Sequence, residues 1–328
     1  MRAVGFTDFG GPEVMKVLEL PEPHAGPGEV RLRVVAADVN PSDTLAREGL
    51  TRVEEQGEDW FPYSDAYIVG WDAAGFIDEV GPGAERLSVG EPAIAITRPS
   101  GKLGGQAEYV VVPAASVAPV PTDADLIAWS TLLMNALTAR LSLDKLNLGP
   151  GATVAVTGAA GAVGGYAVQI AKARGLTVIA EAADKDRELV RSFGADHLVP
   201  RGDAFAADIR AIVPNGADGV VDSALLNEKA LGAVRDGGSI ASLRPYEGST
   251  ERGVQWTTAF VNRHMYETAA IDALRDMAAA GILSLRVGMT FTPEQAALAH
   301  QTLAKGGLRG RPVLVFDENY PNPHNKAA

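Results

Sequence analysis

The chain has 328 residues, no cysteine and a formal net charge of −12 at pH 7. Its length predicts about two domains, and the lack of cysteine excludes disulfides and thiolate-bound metals. The negative charge disfavours a nucleic-acid partner, because polyanions repel each other. No apolar run reaches the length of a membrane span, and the first residues, MRAVGFTDFG, lack the apolar core of a signal peptide. We therefore expect a cytoplasmic protein with no membrane partner.

The first part of the chain, to about residue 122, has the pattern of a β domain. Short apolar or alternating segments separated by Gly and Pro turns predict strands at residues 2–6, 15–19, 30–35, 75–83, 91–96 and 107–112. Residues 45–58 are polar, and we expect part of them to be helical. Many short strands with such turns favour a barrel-like fold.

A glycine-rich turn follows a buried strand that starts at Thr153, and a helical pattern follows the turn. The segment Ala159-x-Gly161-x-x-Gly164 is a dinucleotide-binding fingerprint with Ala in its first position. Glycines let the backbone approach a pyrophosphate, and the first amides of the helix face the phosphates. We predict that this turn binds a dinucleotide through Gly158, Ala159, Ala160, Gly161, Ala162, Val163 and Gly164. A tight turn packed with small residues would explain only one or two of these glycines.

Strands and helices alternate after this turn, which predicts an α/β fold with a doubly wound parallel sheet. A helical stretch at residues 124–146 opens this unit. The predicted strands are residues 177–180, 197–199, 219–222, 239–243 and 254–261, and the predicted helices are residues 184–193, 204–212 and 228–234. The remainder predicts helices at residues 266–280 and 293–305, strands at 285–290 and 313–316, and a polar tail from 317 that frays.

A series of short motifs, in this order and spacing, resembles the medium-chain dehydrogenase/reductase superfamily, and within it the zinc-free quinone oxidoreductases related to zeta-crystallin. The motifs are VNPSDT at 39–44, GWDAAG at 70–75, VG at 80–81, GQAEYV at 105–110, LTA at 137–139, VTGAAGAVG at 156–164, GAD at 194–196 and GRPVLV at 310–315. The resemblance implies a Rossmann domain, residues 124–262, inserted in a GroES-like β-barrel-type catalytic domain, residues 1–123 and 263–328. It also implies an active site in the cleft and a homodimer through the last Rossmann strand, near residues 253–261.

Zinc alcohol dehydrogenases share this architecture but use Cys and His ligands. Asn40 corresponds to their first metal-ligand position, and Trp71 stands where a metal-binding His would be. We therefore expect no catalytic zinc, and we interpret Asp72 as a structural carboxylate. None of the five His residues is interpreted as a metal ligand.

The choice between NAD and NADP depends on the end of the second Rossmann strand. By counting from the glycines, Glu181 could hold a ribose diol and favour NAD. By the resemblance, the discriminating position is Ala182, which cannot accept those hydrogen bonds. Lys185 and Arg187 then lie near enough to pair with a 2′-phosphate, so we favour NADP. The alternative for these two cations is a solvated helix start.

The resemblance also assigns cofactor-binding roles to further residues. It places Thr131, Asn135 and Thr138 on a helix that faces the cofactor. The backbone of Ser242 and Leu243 would meet the nicotinamide amide, and Arg309 and Arg311 would approach the cofactor phosphates. A packing role for the first three and a surface salt bridge for the arginines are the alternatives.

Asn40 is the catalytic candidate that the resemblance supplies, near the nicotinamide and the substrate carbonyl. Its alternative role is to form the turn before Pro41. Many relatives carry a Tyr where this chain has Leu45. Tyr63, Tyr67 and Tyr109 are the residues that could compensate, and a core or surface role is the alternative for each.

These features predict an NADPH-dependent, zinc-free oxidoreductase that transfers hydride to a quinone or an α,β-unsaturated carbonyl. Conjugated acceptors suit a site without a metal, because delocalisation of the developing charge lowers the demand on the protein. The alternatives are an enoyl-thioester reductase of a biosynthetic pathway and a nucleotide-binding protein without turnover.

Overall fold

The computed structural model describes residues 1–50 and 64–324, which form two compact units. The first unit comprises Met1–Met134, Asn262–Ala279 and Leu285–Ala328, and the second comprises Asn135–Val261 and Ala280–Ser284. Within the described ranges, no helix is both long enough and apolar enough to cross a membrane.

The strands, in chain order, are β1 (Arg2–Phe6), β2 (Lys16–Glu19), β3 (Glu29–Asp38), β4 (Tyr67–Ile68), β5 (Asp72–Val80), β6 (Pro92–Ile96), β7 (Tyr109–Pro113), β8 (Val117–Pro119), β9 (Thr153–Thr157), β10 (Thr177–Ala182), β11 (His197–Pro200), β12 (Ala217–Asp222), β13 (Val234–Ser242), β14 (Gln255–Thr258), β15 (Val287–Phe291) and β16 (Arg311–Val315). The α-helices are α1 (Pro41–Arg47), α2 (Leu126–Trp129), α3 (Leu133–Leu146), α4 (Ala162–Ala173), α5 (Arg187–Ser192), α6 (Phe205–Ile212), α7 (Thr268–Ala279) and α8 (Ala296–Lys305).

The first unit is built around strand β3, the longest strand of its main sheet. That sheet has the order β15-β16-β3-β5-β6-β8, and β7 also pairs with β3. The first half of β3 alternates, with Val30, Leu32 and Val34 buried, while every residue from Val34 to Asp38 is buried. Because β5, β7 and β16 together cover both edges of β3, the strand carries Asp38 into the interior of the unit.

The second unit contains a parallel six-stranded sheet in the order β11-β10-β9-β12-β13-β14. Its core includes Ile179, Phe205, Ile209 and Val220. The predicted doubly wound parallel sheet is therefore confirmed. Because all strands point the same way, the segments that follow β9, β10, β12 and β13 lie at one edge of the sheet, where α/β proteins bind ligands.

Residues 280–284 belong to the second unit, although the chain before and after them belongs to the first. Ser284 is hydrogen-bonded to Gln169 of α4 in both directions: its hydroxyl accepts from the side-chain amide, and its backbone N–H donates to the amide oxygen. A short C-terminal loop thus completes the inserted unit.

The helical stretch predicted at residues 124–146 is interrupted, and its first part lies in the first unit. Helix α2 contacts strands β3, β5 and β6 there. The hydroxyl of Thr131 donates to the carbonyl of Ala128 at 2.8 Å, and Ser130 bonds back to Ile127 in the same way. Such side-chain bonds compete with the helical ladder, so α2 ends before α3 begins.

The polar tail, predicted to fray, is held through residue 324. The hydroxyl of Tyr320 donates to the carbonyl of Ala124 at 2.9 Å and accepts from the backbone N–H of Leu126 at 3.1 Å. The Nε2 atom of His324 lies 2.5 Å from Oδ2 of Asp125. The prediction was wrong for residues 317–324, because composition does not reveal such long-range bonds, and residues 325–328 lie outside the described residues. Strands β4 and β8 were also not predicted. Helix α1 begins four residues before the stretch 45–58 that was expected to be partly helical, and residues 51–58 lie outside the described residues. The helix predicted at residues 228–234 is a 3₁₀ helix, Asn227–Ala233.

Candidate functional site

The glycine turn, residues 158–164, joins β9 to α4 in the second unit. Gly158 has φ +57°, a conformation that side chains disfavour. Gly161 precedes α4 in an extended conformation and is exposed. A Cβ on Gly164 would lie 2.4 Å from the carbonyl oxygen of Gly158, whereas one on Gly161 would meet only that oxygen, at 3.1 Å. The turn is therefore a backbone cradle at the start of a twelve-residue helix, which fits a pyrophosphate.

The remaining residues of the predicted fingerprint occupy distinct environments. Ala159 and Ala160 are buried, and Ala162 and Val163 begin α4 half-buried. They supply backbone and small surfaces to the turn, and their contact with a cofactor stays a prediction.

Glu181 fastens the turn from the neighbouring strand β10. Its carboxylate accepts a hydrogen bond from the backbone N–H of Gly158 at 2.9 Å, and its carbonyl accepts from Ala159 at 3.3 Å. The residue is 2% exposed. Glu181 therefore holds the glycine turn in place. Its carboxylate, which the spacing from the glycines would assign to a ribose diol, is bonded to the turn instead.

Two positively charged residues, Lys185 and Arg187, follow the end of β10 within five residues. Ala182, the last residue of that strand, is buried. Lys185 is exposed and Arg187 is half-buried, and neither forms an ion pair with any residue in the part of the chain that the structure describes. Both are available to an anionic group at this edge of the sheet.

The other predicted cofactor residues of the second unit are mostly buried. Ser242 ends β13 at the same edge as the glycine turn, and Leu243 follows it half-buried. Asn135 and Thr138 lie on α3 and are buried. Thr131 lies in the turn before α3 and in the first unit, so the prediction that all three share one helix is corrected.

The carboxyl cluster is a group of buried acids, Asp38, Asp43 and Asp72, around Asn40 in the first unit. Asn40 follows β3 and caps α1, and it is 1% exposed. Its side-chain Nδ2 donates to Oδ1 of Asp38 at 2.6 Å and to Oδ2 of Asp72 at 3.3 Å. Both hydrogens of the amide are thus directed at carboxyl groups.

Asp43 connects the start of α1 to a loop of the main sheet. Its two oxygens accept from the backbone N–H groups of Asn40 at 2.7 Å and of Gly70 at 2.9 Å. Gln106 is fully buried beside it and donates to the carbonyl of Asp38 at 3.0 Å. Gly70 has φ +105°, and a Cβ there would lie 2.5 Å from the backbone nitrogen of Gln106. The motifs around residues 40, 70 and 106 are thus one contiguous structure.

Burial dominates the protonation of these acids. It raises the pKa of Asp43 to about 7, although the amides of Asn40 and Gly70 act in the opposite direction. It raises the pKa of Asp38 well above its usual range, and the adjacent Asp72 adds to this effect. The pKa of Asp72 is raised by burial as well. Removing a carboxylate from water disfavours its charged form, so these acids are protonated more readily than exposed ones.

The two predicted phosphate-binding arginines differ in their surroundings. Arg311 begins β16, is 9% exposed, and its positive charge lowers the pKa of Asp38 and Asp43. Arg311 is therefore not an exposed residue, as the alternative interpretation of a surface salt bridge would require. Arg309 donates to the carbonyl of Leu308 at 3.0 Å. A cofactor contact for either arginine stays a prediction.

A catalytic zinc does not fit these residues. The sequence has no cysteine, and the described residues contain no group of three or more His, Asp or Glu arranged to hold a metal ion. The amide of Asn40 is engaged by carboxyl groups, and Trp71 is a buried indole. Zinc in dehydrogenases is held by Cys and His, so no step is derived through this metal.

The tyrosines proposed to replace the missing residue at Leu45 have structural surroundings. Tyr67 is buried and stacks on Phe6 with ring centroids 5.3 Å apart. Tyr109 packs under the guanidinium of Arg31. Tyr63 lies outside the described residues. Sequence analysis missed Asp38, whose signal was an acid between apolar residues in a strand.

Comparison with known proteins agrees with this architecture. Residues 26–122 match the family model of the alcohol dehydrogenase GroES-like domain, and residues 162–274 match that of the zinc-binding dehydrogenase. The 2-haloacrylate reductase of Burkholderia sp is 31% identical over 93% of this chain and 96% of its own length. The quinone oxidoreductase of Lama guanicoe is 28% identical over 96% of this chain and 98% of its own length. The NADPH-dependent alkenal/one oxidoreductase of Arabidopsis thaliana is 28% identical over 74% of this chain, which spans 62% of that protein.

Solved structures support the same assignment. An NAD-dependent alcohol dehydrogenase is 30% identical with a TM-score of 0.82, covering 97% of this chain and 100% of its own. A mycobacterial protein complexed with NADPH is 25% identical with a TM-score of 0.81, covering 96% and 100%. The proteins similar to this chain thus come from the family that the sequence motifs indicated. The chain therefore belongs to the medium-chain dehydrogenase/reductase superfamily of oxidoreductases, in the group that includes the quinone oxidoreductases.

Proposed function

We propose that the chain is an NADPH-dependent, zinc-free reductase that transfers hydride to a quinone or an α,β-unsaturated carbonyl. The observation that carries the proposal is the glycine turn. Gly158 has a positive φ, Gly161 leaves an open approach, and the backbone around Gly164 has no room for a side chain. This arrangement at the start of α4 is what a dinucleotide pyrophosphate requires.

The preference for NADPH rests on three residues at the end of β10. Glu181, which would hold an unphosphorylated ribose, is engaged by the N–H of Gly158. Lys185 and Arg187 are cations without an ion pair among the described residues, and charge-assisted bonds to a 2′-phosphate would use them. The Arabidopsis relative is named as NADPH-dependent, whereas one similar structure is an NAD-dependent enzyme. The cofactor must therefore be tested directly.

The reaction needs a hydride and a proton. When bound at the glycine turn, a reduced nicotinamide would supply the chemistry of hydride transfer to the electrophilic carbon of the acceptor. The acceptor gains a pair of electrons and one negative charge, which one proton neutralises. Because the residues do not fit zinc, the charge must be met by hydrogen-bond donors, and a conjugated acceptor spreads it over several atoms. Relatives named for quinones, alkenals and 2-haloacrylate fit this class.

Asn40 orients the site in this proposal. Since both hydrogens of its amide bond to Asp38 and Asp72, it acts by fixing the end of β3 and the start of α1. This arrangement favours orientation over direct polarisation of a carbonyl.

A homodimer and a cytoplasmic location complete the proposal. Strand β14 ends the six-stranded sheet, and its outer edge has no partner strand within the described residues. Such an edge can pair with that of a second copy. A cysteine-free chain needs no oxidising compartment. Light scattering of the purified protein tests the dimer, and fractionation of cells that express it tests the location.

The decisive experiment follows the loss of reduced-nicotinamide absorbance with a panel of quinones, enones, enoyl thioesters and saturated ketones, each with NADPH and with NADH. We expect turnover of quinones or enones with NADPH and little with saturated ketones. Turnover with NADH alone would overturn the roles of Lys185 and Arg187. Selective turnover of thioesters would replace the acceptor class. NADPH binding without turnover of any acceptor would favour a binding role.

A further inference from the structure

Residues 223–227, which we call the β12 loop, follow strand β12 in the second unit. Strands β9 and β12 pair in parallel, with Asp222 opposite Thr157, so the glycine turn and the β12 loop leave the sheet side by side. The chain order runs outward from β9 to β11 on one side of this pair and from β12 to β14 on the other. Open α/β sheets bind ligands in the crevice at such a reversal. The β12 loop therefore flanks the crevice opposite the glycine turn.

The β12 loop packs directly on the glycine turn. The hydroxyl of Ser223 donates a hydrogen bond to the carbonyl of Thr157. A Cβ on Gly164 would lie 2.7 Å from the hydroxyl oxygen of Ser223, and one on Gly158 would lie 3.2 Å from the Cβ of Ala224. Both glycines thus also make room for the β12 loop, and the two loops form one continuous surface.

The carboxyl group of Asp222 holds the β12 loop through hydrogen bonds. Its Oδ1 accepts from the hydroxyl of Thr157 at 2.8 Å and from the N–H of Leu226 at 2.9 Å, and its Oδ2 accepts from the N–H of Asn227 at 2.7 Å. The Thr157 hydroxyl in turn accepts from the N–H of Ala224 at 2.9 Å. Asp222 and Thr157 are fully buried, so water does not compete for these bonds. Together they fix the start and the end of the β12 loop.

The backbone of the β12 loop is strained at Leu225, which has φ +57°. In this left-handed conformation the Cβ of an L-residue lies close to the following carbonyl oxygen, which is unfavourable for Leu. Asn227 also has a positive φ, +54°, which Asn tolerates better. A strained conformation persists only where its surroundings fix it, and such residues cluster at functional sites. Here the bonds from the N–H groups of Leu226 and Asn227 to Asp222 fix it.

We propose that Asp222 and Thr157 preform the β12 loop as the wall that contacts the nicotinamide half of the bound dinucleotide. This role rests on the proposed function, in which Lys185 and Arg187 bind the phosphate of the adenosine half. Strand β12 lies on the opposite side of β9 from β10, so a dinucleotide that crosses the glycine turn brings its other half to the β12 loop. Asp222 and Thr157 are positioning residues, because they act through the loop and not on the cofactor.

The test compares the Kd of NADPH with that of 2′-phospho-ADP, which is NADPH without its nicotinamide riboside, by isothermal titration calorimetry. In Asp222→Asn an NH₂ group replaces one acceptor oxygen, so the β12 loop loses a bond that holds it. A loose wall must be ordered by the ligand, so the Kd of NADPH should rise roughly tenfold and that of 2′-phospho-ADP should change less than about twofold. Equal losses for the two ligands, or no loss for either, would overturn the inference.

Asp218→Asn is the matched control. Asp218 also lies on β12 and accepts a backbone N–H of β9, that of Thr153 at 2.8 Å, but near the opposite end of the strand. Its replacement should lower Tm without changing the ratio of the two Kd values, and a ratio that changes as in Asp222→Asn would count against the β12 loop.

A second pair of variants decides the outcome if Asp222→Asn does not fold. Thr157→Val removes the hydroxyl that bonds to Asp222 and Ala224, so it should weaken NADPH binding more than 2′-phospho-ADP binding. Thr157→Ser retains the hydroxyl and should restore most of this loss. A wild-type ratio in Thr157→Val would overturn the inference.

Failure of the proposed function gives different results. NADPH binding without turnover of any acceptor would overturn the proposed reaction, and the ratio of Kd values would still decide the role of the β12 loop. If the wild type binds NADH alone, the choice of NADPH is wrong, and NADH and ADP provide the same ratio in the same variants. A wild type that binds neither nucleotide would overturn both the nucleotide site and the contact with the β12 loop.

Discussion

The glycine turn and the carboxyl cluster are formed by different parts of the chain: backbone in the turn, and side chains in the cluster. The turn consists of backbone and small residues, and its binding surface exists because Gly161 leaves space. The cluster consists of polar side chains without solvent access, and its geometry depends on the hydrogen bonds that they form. The turn should therefore be sensitive to added atoms, and the cluster to changes of charge and hydrogen bonding.

The largest effect is expected at the turn, from Gly161→Leu. Gly161 has an ordinary negative φ, and a Cβ there would meet only the carbonyl oxygen of Gly158, at 3.1 Å. With a small shift of that oxygen, the fold should tolerate a side chain that fills the approach to the pyrophosphate. We expect the Kd for NADPH, measured by fluorescence titration, to rise roughly a hundredfold or more, with little change in Tm.

Gly164→Ala is the matched variant. Its Cβ would collide with the carbonyl of Gly158 at 2.4 Å, so Tm should fall because the turn itself must move. Equal NADPH affinity in Gly161→Leu and the wild type would contradict the site assignment.

In the carboxyl cluster, Asp72→Ala should lower the free energy of unfolding by about 3 kcal/mol, because it leaves buried hydrogen-bond donors without an acceptor. The backbone N–H of Met134 and the amide of Asn40 lose their acceptor. Urea unfolding measures the change, and Asp123→Ala serves as the exposed control in the same unit. A loss below about 1 kcal/mol would show that the network is replaceable by water.

A smaller effect is expected from Lys185→Ala, which should raise the Kd for NADPH roughly tenfold and leave that for NADH unchanged. The control is Lys229→Ala, which removes an exposed lysine of the same unit that is already paired with Asp203 at 2.8 Å. Equal losses for the two nucleotides in Lys185→Ala would mean that Lys185 does not read the 2′-phosphate.

The smallest effect is a pH dependence of stability. The pKa of Asp43 is raised to about 7 by burial, so the folded protein binds more protons than the unfolded chain. Its contribution is complete below the ordinary carboxyl pKa and is lost as pH rises through about 7. The pKa of Asp196 in the second unit is lowered through its bond to Lys172, despite its partial burial, so its contribution is lost as pH falls. Tm measured across pH should show a decline toward neutrality that Asp196→Asn leaves intact.

The two sites also differ in how far the sequence reveals them. The turn could be predicted, because Gly158, Gly161 and Gly164 act within one local segment between a strand and a helix. The cluster could not, since residues 38–43 meet Asp72 of β5 only through tertiary packing. For Glu181, the sequence predicts the position but not the hydrogen bond. Its position was identified by counting, but its bond to Gly158 became visible only with the register of β9 and β10.

The loop at residues 280–284 has a consequence for recombination among relatives. An exchange of residues 135–261 would transfer a contiguous stretch of the inserted unit but leave its last piece behind. Gln169 would then face position 284 of another lineage and would keep its bond to a hydroxyl there only if that lineage also has Ser or Thr. The inserted unit is thus discontinuous in the gene, and a chimera that takes both segments from one parent preserves this pair of hydrogen bonds.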